Sequence, residues 1–168
     1  MSVQPARCSK PLVRSLKRNY YYHAREWAYK DVTPRIIAEP YLEDADDGEL
    51  RDYKFFTFHG QPKYLYIAQG RSKTGETFAD FYDMEFRHLD LRIDHETAPE
   101  PPHKPKNFEL MKELAAKLSV GTKELRVDFY EVNGKVYVGE LTFFHCSGFV
   151  PFRPADWDKT WGDLITLK

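Results

Sequence analysis

The sequence predicts an α+β fold, an antiparallel sheet flanked by helices. Three observations carry that prediction. Short hydrophobic stretches of strand-like alternation are joined by compact turns, His59-Gly60-Gln61-Pro62 and Asn133-Gly134. Phe108–Leu118 shows apolar residues at three- to four-residue spacing, the mark of an amphipathic helix. Hydrophobic residues make up 42% of the 168 and charged residues 30%, which suits one globular domain and excludes disorder. Aromatic residues reach 15%, so rings must fill much of the core.

The elements are expected in the following order. Met1–Lys10 reads as a loose lead-in. Leu12–Lys30 reads as helical, with Leu16, Tyr20, His23 and Trp27 on one face, stopped by Asp31 and Pro34. Arg35–Leu42 reads as a strand through Ile36, Ile37 and Tyr41, and Glu43–Glu49 as an acidic loop. Strands follow at Tyr53–Phe58 and Tyr64–Ala68. A loop with Gly70, Arg71 and Gly75 leads to a further strand at Phe78–Phe86. The proline-rich Thr97–Pro105 is an extended linker. In the helix Phe108–Leu118, Asn107 is the expected N-cap and Leu110, Met111, Leu114 and Leu118 the apolar stripe. Leu125–Val132 and Val136–Phe143 form a hairpin, and Pro154–Leu164 a short helix in an irregular tail.

Bulk properties exclude several functions. A net charge of -1 supplies no field for nucleic acid or an anionic membrane, so no nucleic-acid partner is expected. No apolar run reaches the roughly 20 residues of a membrane span. The first ten residues have no signal core, and Cys8 and Cys146 are far apart without metal-ligand spacing. A cytoplasmic protein with free thiols is expected.

The segment Glu124–Phe144 carries the chemistry. Leu125, Val127 and Phe129 should face one side of their strand, and Arg126, Asp128 and Tyr130 the other. If Asp128 lies opposite Glu140, then Arg126 lies opposite Thr142. One face then offers an arginine, two carboxylates and a hydroxyl. Facing carboxylates repel unless a cation separates them, and oxygen donors suit a hard divalent ion such as Mg2+. A plain two-residue turn at Asn133-Gly134 would instead place Asp128 opposite Gly139. The shared-face arrangement therefore requires a three-residue loop or a bulge. On pattern alone, Asp128 and Glu140 read first as solvent-side charges on a half-exposed hairpin.

RVDFY followed by VYVGELTFFHCSGF resembles the metal-binding hairpin of ATP-grasp enzymes, in particular the TupA-like, teichuronopeptide-biosynthesis branch. NYYYHAREWAYKDVTPRIIAE, IIAEPYLED, RDYKFFTFHGQPKYLYIAQGR, FYDMEF and FELMKELAAKLS follow in the same order. The resemblance implies a lead-in and helix over residues 1–34 and a C-terminal ATP-grasp subdomain over 35–168. It implies ATP and Mg2+ as cofactors, with Asp128, Glu140 and Thr142 at the metal and Arg126 stabilising transferred charge. Thr142 stands where the family usually has asparagine. Glu39 matches the hinge acid, and the backbone of Tyr41 and Leu42 would meet the adenine. Arg71 and Arg87 are candidate phosphate contacts, and Lys54 reads as either a functional or a surface lysine. The implied reaction joins a carboxylate to an amine through an acyl-phosphate, on sugar- or peptide-containing cell-envelope substrates. A partner protein is expected to supply the preceding part of the nucleotide clamp. A truncated, non-catalytic binding module is the alternative.

Other features read more simply. His145 and Cys146 are adjacent, and as strand residues they would diverge rather than pair. His23, His59, His88, His95 and His103 lack ligand spacing, Glu43–Glu49 reads as a solvated turn, and Tyr20–Tyr22 as packing. A metal-dependent nuclease hairpin of the D…E-x-K type would need lysine where Thr142 stands.

Overall fold

The computed structural model describes residues 5–44, 50–70 and 75–166, and for residues 5–9 the backbone alone. The chain divides into two compact units, Met1–Tyr41 and Leu42–Lys168. In the first, helix α1 spans Pro5–Leu16, α2 spans Tyr21–Ala24, and a 3₁₀ turn covers Trp27–Tyr29. The single helix expected over Leu12–Lys30 is thus broken, and α1 begins inside the expected lead-in. Asn19 explains the break. Its Oδ1 accepts the Tyr21 amide at 2.9 Å and its Nδ2 donates to the Lys30 carbonyl at 2.8 Å, so a side chain replaces helical backbone bonds. Arg25, at φ 62°, ends α2 in the left-handed region.

The strand expected at Arg35–Leu42 does not form. The segment carries no helix or strand, and Ile36, Ile37 and Tyr41 are exposed. Pro40 removes a backbone donor from the stretch that would have paired, and Pro34 removes another just before it.

The second unit builds one antiparallel sheet. Strands β1 (Asp52–Phe58), β2 (Gln61–Gln69), β3 (Phe78–Tyr82) and β4 (His88–Leu89) precede α3 (Phe108–Leu118). Strands β5 (Glu124–Val132) and β6 (Lys135–Thr142), a 3₁₀ turn at His145–Gly148 and α4 (Asp156–Gly162) follow. The strand order is β4-β3-β2-β1-β5-β6, and the α+β expectation holds. The strand expected over Phe78–Phe86 stops at Asp83, whose Oδ1 accepts the Glu85 and Arg87 amides and closes a turn. No helix among the described residues is long and apolar enough to cross a membrane.

The sheet is apolar on both faces. Tyr53, Phe55, Leu125, Val127 and Phe129 pack beneath Phe108, Met111 and Ala115 of α3. Phe56, Phe58, Tyr66 and Phe81 form the opposite face and meet Trp161 of α4, whose ring lies 4.9 Å from Phe56 and stacks on Tyr64 at 4.6 Å. Helix α3 has the expected bounds, and Met111 and Leu114 of the expected stripe do face the core, but the buried side is shifted. Phe108, Met111 and Ala115 are buried, whereas Leu110 and Leu118 are exposed. Phe55 beneath the helix draws Phe108 inward and sets this phase, the two rings 5.8 Å apart. Asn107 makes no capping bond. It donates instead to Glu131 at 2.7 Å and to the Gly134 carbonyl at 3.1 Å, tying the helix start to the β5–β6 hairpin.

The helix phase gives a direct prediction. Met111→Ala should cost about 2–5 kcal/mol by urea denaturation, whereas Leu110→Ala should stay within about 0.5 kcal/mol of the parent. Equal losses would return Leu110 to the core.

Candidate functional site

The β5–β6 turn is the two-residue Asn133-Gly134, with φ of 50° and 74°, both in the left-handed region that this turn type needs. From there the register runs Val132↔Lys135 to Phe129↔Val138. It then skips Gly139 and continues Asp128↔Glu140 and Arg126↔Thr142. The bulge is at glycine because the Tyr130 ring lies over the backbone there. A Cβ on Gly139 would approach Tyr130 Cε2 at 2.8 Å. The one-residue shift required for a shared face is therefore supplied by the bulge, and the turn stays short.

Pairing with β1 adds a further residue to this face. Lys54 lies opposite Asp128 on one side and Tyr66 on the other, so Tyr66, Lys54, Asp128 and Glu140 form a row across four strands. Lys54 Nζ donates to Asp128 Oδ2 at 2.6 Å and lies 3.7 Å from Asp52. Arg126 grips the same carboxylate in a fork, Nε to Oδ1 at 2.7 Å and Nη2 to Oδ2 at 2.8 Å. Its Nη2 is also 3.6 Å from Glu140 Oε1, and the Thr142 hydroxyl donates to that oxygen at 2.7 Å. The cation between the two carboxylates here is thus Arg126. Exposure separates the acids, since the Asp128 side chain is 2% exposed and that of Glu140 60%.

Burial opposes the Arg126 charge, but the hydrogen bonds and field of Asp128 outweigh it and hold the guanidinium above its ordinary value. Arg126 Nη1 also donates to His145 Nδ1 at 2.6 Å. Burial, reinforced by the Arg126 charge, lowers the His145 pKa to about 4, so its ring is neutral near pH 7.

The structure brings Arg126, Asp128, Glu140 and Thr142 together. Glu39 and Tyr41 belong to the N-terminal unit, where both are exposed, and Leu42 begins the second unit half-buried. Arg87 is exposed and held by Asp83 and Glu85 in its own turn, and Arg71 lies outside the described residues. Sequence reasoning undervalued Lys54, because its role follows from β1–β5 pairing, which no local pattern announces. It missed the contact of His145 with Arg126 because His145 was read as part of a strand. The oxygen donors at Glu140, Thr142 and Asp128 are of the kind that a hard divalent ion such as Mg2+ takes.

The TupA-like ATPgrasp family model matches residues 1–166. Comparisons with curated proteins and with solved structures return no match.

Two predictions follow from the charges. Arg126→Met leaves Asp128 buried with Lys54 alone and should cost about 3–5 kcal/mol in urea denaturation. Lys54→Met, which spares the bidentate fork, should cost less. The reverse order would mean that the fork does not anchor Asp128. For His145, the folded side chain takes its proton near pH 4 and the unfolded one near 6.5. Its contribution is full above 6.5 and is lost as pH falls toward 4, by about 3 kcal/mol in all. His145→Gln should flatten the fall in stability over this window, and an unchanged profile would refute the assignment.

Proposed function

The chain belongs to the TupA-like ATPgrasp family, and from that premise we propose that its bulged β5–β6 hairpin is the metal and phosphate side of a nucleotide site. The single observation that supports this most is the register Asp128↔Glu140 and Arg126↔Thr142, which gathers two acids, an arginine and a hydroxyl on one face. Glu140, Thr142 and Asp128 would hold Mg2+, which would neutralise phosphate charge. Glu140, exposed and next to Thr142, is the carboxylate that meets it. Asp128, fixed by Lys54 and Arg126, offers its remaining lone pairs and keeps Arg126 in place. Arg126 remains cationic beside Glu140, where a planar donor suits a phosphoryl or acyl-phosphate oxygen. By motif order, Glu39 and the backbone of Tyr41 and Leu42 serve the adenine. Arg87 is engaged by two carboxylates and does not enter the proposal.

The reaction we propose is ligation of a carboxylate to an amine through an acyl-phosphate. Its setting is the assembly of sugar- or peptide-containing cell-envelope polymers, and that part rests on the family alone. The exposure of Glu140 leaves its face of the hairpin open to water. A further protein segment that covers the phosphates would complete the site. A second reading, a binding module without turnover, is favoured by the fact that both Asp128 oxygens are already held by protein cations.

Calorimetry of the chain with ATP distinguishes these readings. Binding should require Mg2+ and weaken by about tenfold or more, roughly 1.4 kcal/mol, in Glu140→Gln and in Asp128→Asn. Binding without ADP release in the presence of carboxylate and amine acceptors would select the module. The absence of Mg2+-dependent binding would sink the nucleotide site itself.

A further inference from the structure

The His145–Cys146 pair does not diverge as strand residues would. Both lie in the 3₁₀ turn after β6, where Cys146 and Ser147 take φ of 48° and 56°. That backbone folds the thiol back over the imidazole, with Sγ 3.5 Å from Nε2. Asp94 approaches from the segment after β4, its Oδ2 4.0 Å from Sγ. One donor atom from each of the three side chains lies within 4.8 Å of the others.

We propose that Asp94, His145 and Cys146 form a site for a borderline divalent transition-metal ion of the zinc class. Bonds of about 2.3 Å to sulfur and about 2.0–2.2 Å to nitrogen and oxygen place tetrahedral donors about 3.3–3.6 Å apart, so small side-chain movements close the set. One thiolate, one imidazole and one carboxylate leave a fourth position for water. The mixed donors select zinc-like ions over Mg2+, in contrast to the all-oxygen set of Asp128, Glu140 and Thr142. Asp94 is oriented as a ligand should be. The buried Tyr66 hydroxyl donates to Oδ1 at 2.8 Å, and Oδ2 is the oxygen turned toward the sulfur. His145 is neutral near pH 7, the form that binds metal.

Proton accounting ties this site to Arg126. An arginine only donates, so the 2.6 Å contact makes Nδ1 an acceptor and puts the ring proton on Nε2, facing the sulfur. Binding an ion through Nε2 releases the thiol proton to solvent and moves the ring proton to Nδ1. Nδ1–H then faces a guanidinium N–H, so Arg126 Nη1 has to withdraw. The ion and Arg126 therefore compete for one imidazole, whether or not the hairpin binds a nucleotide.

The test titrates the whole chain with Co2+ alone as a spectroscopic probe. One equivalent should produce the intense near-ultraviolet thiolate-to-cobalt absorption, and Zn2+ should displace it. Cys146→Ser should abolish the band, while Asp94→Asn and His145→Ala should each weaken binding by about tenfold or more. No thiolate band would overturn the proposal, as would a band that survives Cys146→Ser but disappears in Cys8→Ser. So would modification of Cys146 by a small aromatic disulfide at equal rates with and without equimolar Zn2+, the behaviour of a redox thiol only.

Discussion

A carboxylate that is 2% exposed must be neutralised where it sits, and the neutralisation of Asp128 is the constraint around which this face of the sheet is organised. Its two cations come from different places. Lys54 reaches it from the neighbouring strand at 2.6 Å, and Arg126, two residues away on its own strand, holds both its oxygens. The pairing of β1 with β5 is therefore specified by charge on one face and by phenylalanines on the other. A one-residue slip would send Lys54 to the side packed against α3 and leave Asp128 with Arg126 as its cation. Arg126 then carries the constraint onward to Glu140 on β6 and to His145 in the turn beyond it.

The hairpin was the most legible part of the sequence, because its information is local. Asn133-Gly134 announces a two-residue turn, and alternation on either side assigns the faces. Only Gly139 hinted at how the register recovers after that turn, since glycine is where a bulge costs least when a ring such as Tyr130 lies close. Elements that depend on a distant partner were read less well. Ile36 and Ile37 look like strand residues, but a strand needs a neighbour and two prolines withhold amides from one. Helix α3 has its expected bounds and turns Met111 and Leu114 of the expected stripe to the core, while Leu110 and Leu118 fall outside. The periodicity of leucines is a property of the helix, whereas the choice of Phe108 and Ala115 as its further buried residues belongs to the aromatic floor beneath it. Lys54 and Asp94 carry no motif at all, and only the assembled sheet brings them to Asp128 and Cys146.

The aromatic face explains how an irregular tail comes to bear on charged groups. Trp161 packs edge-on against Phe56 and Phe58, and the backbone of Arg153 pairs with that of Arg92, so the tail is fastened both to the sheet and to the segment after β4. Between β6 and these anchors the chain has to turn, and the turn places the His145 ring 5.1 Å from Phe56, edge to face. A ring packed there is dehydrated, which is why it stays neutral and accepts from Arg126 rather than competing with it as a second cation. The hydrophobic packing of the tail thus sets the protonation state of a group that touches the charged row.

The two acids of that row divide their work by exposure. At an effective dielectric of about 20, unit charges 4 Å apart interact by about 4 kcal/mol, and water around an exposed group reduces this further. Asp128 is shielded from water and is compensated permanently by short contacts. Glu140 is 60% exposed, and its 3.6 Å approach to Arg126 is a weak hold by comparison. A cation arriving from solvent can therefore displace Arg126 from Glu140 at little cost, whereas displacing it from Asp128 would leave a buried charge with Lys54 alone. Nη2 of the same guanidinium is thus held firmly by Asp128 at 2.8 Å and loosely by Glu140 at 3.6 Å. That is the property a group needs if it is to hold position while charge changes beside it.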